Sequence, residues 1–179
     1  KTLREKPYGG AEVAFVSLVE NLAKEGLDIT VYNNCVNQGK INDVNWRKLN
    51  DDINSEKFDT LVVNRGDKYL NFRKECKKRI FWIHNPANYL LKYRYLSKLF
   101  FNKFEIIFSS KYHLNTYPWW APAKKKIVIP YGIDDELIKN NKKSVYSSSI
   151  KNAIFTSNPM RGLNWLLENW EKNIYPFCA

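Results

Sequence analysis

An open α/β domain with parallel strands and helices on both faces is the fold class that the sequence predicts. Three observations predict it. Short apolar runs rich in β-branched and aromatic residues recur at positions 29–32, 58–64, 79–84, 105–109 and 126–130. Segments that read as helices or polar loops separate them. The runs are continuously apolar rather than alternating, as in strands buried on both faces of a doubly wound sheet. This order extends to about residue 134, which bounds a first domain at 1–134.

Taken in order, residues 11–25 follow Gly9-Gly10 with apolar side chains at Ala11, Ala14, Phe15, Leu18, Val19 and Leu22. That spacing is the stripe of an amphipathic helix. Gly26 stands where a helix ends in the left-handed conformation. Ile29-Thr30-Val31-Tyr32 then reads as a strand. Residues 45–54 are short and weakly periodic, a helix or polar loop, whereas 87–103 read as one long helix. Residues 110–117 hold a brief helix at most, ended by Pro118. Residues 135–151 are polar, basic and serine-rich, as a linker is. An apolar strand restarts at 152–157 and a helix at 161–172, its stripe formed by Leu163, Leu166, Leu167 and Trp170. One strand and one helix make no core alone, so 152–179 reads as the truncated start of a second domain.

Composition narrows the function classes. Lys and Arg number 29 against 18 Asp and Glu, a formal charge of +11. Such an excess asks for a polyanion, and nucleic acid, anionic lipid and phosphorylated small molecules all qualify. With 44% hydrophobic and 15% aromatic residues, the chain is not of disordered type. No apolar run approaches the roughly 18–20 residues of a membrane-spanning helix. Residues 1–8 lack the apolar region of a secretory signal. Cys35, Cys76 and Cys178 are odd in number and far apart, which fits a reducing compartment and excludes CxxC-type metal sites. The cytoplasm is the expected location, with a peripheral place on the inner face of a membrane as the variant that the charge allows.

Three places could carry chemistry. In Tyr8-Gly9-Gly10-Ala11-Glu12 two glycines permit close backbone approach, and the helix N-terminus behind them suits phosphate or a sugar hydroxyl. The loop is neither GxGxxG nor a Walker loop, and a plain turn is the bland alternative. His84 falls at the C-terminal end of a strand, where open α/β sheets place their ligands. It could act as a general base or bind a polar ligand, or be a satisfied structural histidine. His113, beside Tyr112 in a polar helix, reads as a surface residue. Arg161 opens the helix after the linker, where a cation is disfavoured unless an anion sits with it. That points to a phosphate, with Ser157 as a hydroxyl partner, against a merely solvated arginine. Separately, residues 89–104 mix aromatics with Lys92, Arg94, Lys98 and Lys103, followed by Pro118-Trp119-Trp120-Ala121-Pro122 and Lys124-Lys125-Lys126. These could lie on an anionic membrane or stack on single-stranded nucleic acid, or the helix could simply pack on the sheet with its lysines in water.

The order of these features resembles the retaining glycosyltransferases of family 4, which have the GT-B fold of two facing Rossmann-like domains. The matching pieces are GGAE at Gly9–Glu12, the strand ending in His84, and Ile107-Phe108-Ser109-Ser110-Lys111. They continue with Lys126-Ile127-Val128-Ile129-Pro130-Tyr131-Gly132-Ile133-Asp134 and with Phe155-Thr156-Ser157-Asn158-Pro159-Met160-Arg161-Gly162-Leu163. The resemblance implies that Gly9, Gly10 and Glu12 form a loop facing donor and acceptor, that His84 approaches the transferred sugar, and that Arg161, with Ser157, holds the donor diphosphate. It implies a nucleotide-sugar donor, a glycan, lipid-linked or small-molecule acceptor, retention of configuration, and neither metal nor other cofactor. An oxyanion leaving group is then met by helix N-termini and cations. Against the family pattern, the strand expected before the glycine loop is missing, and the second basic donor ligand and two spaced glutamates would lie beyond Ala179. Arg161 replaces the usual lysine and Tyr131 a common asparagine. The runner-up is a non-catalytic basic Rossmann-like module that binds a membrane surface or a polyanion. Nucleic acid is not expected, because no recognised module occurs and the lysines are spread along the chain.

Overall fold

A computed structural model describes residues 9–49, 57–72, 76–132, 155 and 157–177. The chain divides into two compact units, Lys1–Asp134 and Asp135–Ala179. The first is α/β and holds two sheets, a four-stranded parallel one and a three-stranded mixed one.

Helix α1 (Gly10–Lys24) starts on Gly9, whose carbonyl accepts the N–H groups of Glu12 and Val13 at 3.0 and 3.1 Å. Glu12 in its first turn and Lys24 in its last both complement the helix dipole. Its end is a Schellman motif. The Gly26 N–H reaches the Ala23 carbonyl, the Leu27 N–H reaches the Leu22 carbonyl, and Gly26 takes φ +88°, as its position in the sequence predicts. Val19 and Ala23 pack on Val31 and Val44, flanked by Phe15, Ile29 and Trp46.

Val31 and Val44 belong to the mixed sheet. Strand β1 (Ile29–Asn33) pairs in parallel with β3 (Val44–Lys48), which also pairs antiparallel with β2 (Gly39–Ile41). Here the structure corrects the expectation of a helix or polar loop from residue 45. Asn42 and Asp43 both have positive φ, +49° and +61°, and close a two-residue hairpin between the paired Ile41 and Val44. Beyond the turn Val44 and Trp46 alternate with polar residues, a period of two rather than 3.6.

The larger sheet has the order β4 (Thr60–Asn64), β5 (Lys78–Trp82), β6 (Glu105–Phe108), β7 (Lys125–Val128), all parallel. These strands match four of the predicted apolar runs. The single sheet expected from the sequence is thus two sheets, with β1 and β4 as edge strands among the described residues. Tyr32 and Phe58 meet edge to face at 6.3 Å between them. Phe81, Ile83, Phe104, Ile106 and Phe108 are fully buried under Leu70, Ala87, Leu90 and Leu99.

The long helix expected over 87–103 is broken. Ala87–Leu91 is a 3₁₀ helix, Lys92 is extended, and α2 spans Tyr93–Asn102. The buried residues explain the break. Ala87 and Leu90 are three apart, Tyr95 and Leu99 four apart, and the step of five between Leu90 and Tyr95 would set them about 140° apart on one continuous α-helix. Breaking the helix at Lys92 turns both pairs to the core. Helix α3 (Lys111–Asn115) is capped by Ser110, whose hydroxyl accepts the His113 N–H at 3.0 Å.

In the second unit α4 (Leu163–Asn169) continues into a π-helical turn, Trp170–Ile174, and a 3₁₀ turn, Tyr175–Phe177. None of its described residues is buried. The expected linker at 135–151 and most of the strand at 152–157 lie outside the described residues. Among those described, no helix is long and apolar enough to cross a membrane.

Two substitutions test these elements by denaturant unfolding. Phe81→Ala leaves a hole on the sheet face beside Tyr95 and Phe104 and costs about 3–5 kcal/mol. Asp43→Val places a β-branched residue at a positive φ and costs about 1–2 kcal/mol; no loss would contradict the left-handed turn.

Candidate functional site

The C-terminal ends of the parallel strands and the start of α1 supply the site. The second half of β5, Ile80-Phe81-Trp82, is apolar because neighbours cover it, and His84 is the first polar residue past its end. Asn64 closes β4, and Tyr131 follows β7. Between Asn64 and Gly66, Arg65 takes a left-handed conformation (φ +61°), with its N–H on the Trp82 carbonyl at 3.1 Å.

Both nitrogens of His84 have protein partners. Nε2 lies 2.7 Å from Asn64 Oδ1 and Nδ1 lies 2.6 Å from Tyr131 Oη. An amide oxygen only accepts, so Nε2 carries the proton and Nδ1 accepts from the Tyr131 hydroxyl. The Tyr131 ring is parallel to the imidazole within 4°, with centroids 5.9 Å apart, and Trp82 packs at 4.6 Å on the imidazole. Burial drives the histidine down from 6.5 to about 4; the nearby Arg65 charge adds to this and the Glu12 carboxylate opposes it. His84 is therefore neutral at physiological pH and too weak a base to abstract a proton efficiently. The arrangement suits a hydrogen-bonding contact to a polar ligand in an aromatic setting.

Arg65 also joins the glycine loop to the site. Its Nη1 donates to Glu12 Oε1 at 2.8 Å. The Glu12 carboxyl is held below the usual range by a backbone N–H and by Arg65. Both side chains are about half exposed, so the pair contributes about 0–1 kcal/mol and acts mainly to orient the loop. A Cβ on Gly9 would run into the Glu12 carboxylate, whereas one on Gly10 would meet nothing. Gly9, Gly10, Glu12 and His84 thus share one end of the fold, linked through Arg65 and Asn64.

The expectation of a surface His113 is wrong. It is 6% exposed, accepts the Ser109 N–H on Nδ1 at 3.1 Å, and has Nε2 2.7 Å from the Asn85 carbonyl. It locks the segment after His84 onto α3. The cue in the sequence was Ser110 three residues earlier, a helix cap that turns His113 inward beside Tyr117.

Ser157 and Arg161 lie in the second unit, both exposed. Arg161 does not open the helix: it sits in a turn, its N–H on the Asn158 carbonyl at 2.8 Å, one residue before the Gly162 cap of α4. Asn64, Arg65 and Tyr131 were missed as site residues, although Asn64-Arg65-Gly66 ends an apolar run in the same way as His84 does. Among the described residues, no three His, Cys, Asp or Glu side chains converge as a metal site would require.

No protein-family model matches the chain, and comparisons with curated proteins and with solved structures find no match.

The histidine geometry has a measurable consequence. Between about 6.5 and about 4 the unfolded His84 binds a proton and the folded one does not, so its contribution to stability, complete above 6.5, is lost as pH falls through that window. Imidazole NMR should place one of the two histidines near 4 in the folded protein. Tyr131→Phe frees the Nδ1 lone pair, so the His84 titration rises and its acylation by diethyl pyrocarbonate accelerates several-fold. Acylation of free imidazole under the same conditions serves as the reference, and equal His84 rates in the parent and in Tyr131→Phe would remove Tyr131 from the site.

Proposed function

We propose that the chain is the acceptor-side domain, with the opening of the donor domain, of a retaining glycosyltransferase of the GT-B type. The observation that carries the reading is His84. It is a neutral, oriented imidazole at the C-terminal end of a parallel strand, walled by Trp82 and Tyr131 and linked through Asn64 and Arg65 to the glycine loop of α1. Sugar rings are bound by such combinations of aromatic faces and fixed hydrogen-bonding groups.

The sheet pattern supports the same reading. A strand between β1 and β4 would use the free edge of each and join the two sheets into one doubly wound sheet. In this reading His84 contacts a hydroxyl of the transferred sugar. Gly9, Gly10 and Glu12 border the donor and acceptor, and Arg161 and Ser157 serve the donor diphosphate from the second domain. The leaving diphosphate is stabilised by oriented donors and cations. The acceptor is a glycan, a lipid-linked sugar or a small molecule, and the cytoplasm is the compartment.

The test uses the protein with its complete reading frame and a panel of nucleotide-sugars, and measures nucleoside diphosphate release. Turnover with at least one donor is expected, and His84→Ala should lower it at least about tenfold while the circular dichroism spectrum is unchanged. Release from no donor, or full activity in His84→Ala, would overturn the assignment.

A further inference from the structure

The end of the parallel sheet opposite His84 carries four large aromatic side chains in solvent. Phe100 and Phe101 close α2 just before β6 and are 67% and 76% exposed; Trp119 and Trp120, ahead of β7, are 90% and 58% exposed. Single exposed apolar residues are ordinary, but four on the side where the parallel strands begin are not.

The tryptophans are not exposed because their loop is loose. Tyr117 and Ala121 on either side are buried, at 3% exposure each. The Tyr117 hydroxyl donates to the Pro122 carbonyl at 2.9 Å, and the Ala121 N–H reaches the Pro118 carbonyl at 3.2 Å. Lys126 Nζ donates to the Pro118 and Trp119 carbonyls. An anchored turn therefore holds both indoles outward. The two lead-ins are tied together where the Lys124 N–H meets the Phe104 carbonyl at 2.8 Å.

Charge says what covers the patch. Lys103, Lys124 and Lys125 are exposed beside the aromatics. Of the carboxylates on this side of the sheet, Glu105 has a nearly buried side chain set between Lys78 and Lys124 at 3.7 Å each, and Asp59, before β4, is paired with Lys77 at 2.7 Å. Exposed tryptophan and phenylalanine ringed by lysine match the headgroup region of an anionic bilayer, where indoles sit at the boundary and lysines meet lipid phosphates. We propose that this end of the sheet docks the protein on an anionic membrane surface. Of the surface suggested by the sequence, the start and middle of α2 contribute least to this patch. Lys98 is bound to Asp67 at 2.8 Å, Arg94 lies over the Tyr95 ring, and Tyr95 and Leu99 face the core.

Sedimentation with vesicles of phosphatidylcholine, with or without phosphatidylglycerol, tests the proposal on the full chain. Binding to the anionic vesicles alone is expected, weakening as salt is raised. Trp119→Ser/Trp120→Ser should reduce it at least about tenfold, and Lys103→Glu/Lys125→Glu likewise, with unchanged unfolding curves. Lys92→Ser, at the far end of α2, should stay within about twofold of the parent. Full binding by the tryptophan variant, or an equal loss in Lys92→Ser, would overturn the docking end. Overturning it too would be a patch-dependent dimer, or RNA capture without vesicle binding, in sedimentation velocity runs.

Discussion

The covering of β5 on both sides is the constraint from which most of the first unit follows. A strand hydrogen-bonded to β4 and β6 and roofed by helix must be apolar once past its charged start at Lys78-Arg79, so Phe81 and the following Ile83 are fully buried and Trp82 nearly so. Polar chemistry can emerge only where the strand ends. The parallel register pairs Asn64 with Trp82, which sets the Asn64 amide within reach of His84 two residues on. The Ile83 N–H bond to the Ile107 carbonyl carries the pairing to the last residue before the histidine. Tight packing below thus fixes the imidazole above.

The site itself is a balance of burial against charge. Arg65 near His84 disfavours protonation, Glu12 favours it, and the partial removal of water decides the outcome. What results is a fixed neutral tautomer. The Tyr131 hydroxyl occupies Nδ1 in the way a ligand hydroxyl would, so binding at this atom exchanges one phenol for another oxygen donor.

Strong, continuous signals in the sequence translated directly into structure. The apolar runs became strands, and Gly26 became the left-handed helix end because only that position lets the last carbonyls find donors. What stayed hidden had a physical cause in each case. The β2–β3 hairpin is announced only by Asn42-Asp43, a turn pair weaker than Asn-Gly, before a strand too short for a clear period. The break at Lys92 shows only when Ala87, Leu90, Tyr95 and Leu99 are required to face one core, which is tertiary information. His113 has polar neighbours in sequence, and only the Ser110 cap and the packing of α3 bring it inside. Tyr131 reaches His84 across 47 positions, a contact that depends on β5 and β7 having parallel ends on one side of the sheet.

An all-parallel sheet is a directional object: every strand begins on one side and ends on the other. The anchored Trp119–Trp120 turn belongs to the beginning side and His84 to the ending side, with strands of roughly 15 Å between them. A molecule resting on its aromatic end therefore holds the imidazole up into water rather than down among headgroups. Its partners would arrive by three-dimensional diffusion from the aqueous phase while the protein itself moves in two dimensions. That geometry would favour water-borne ligands over lipids of the bilayer on which it rests.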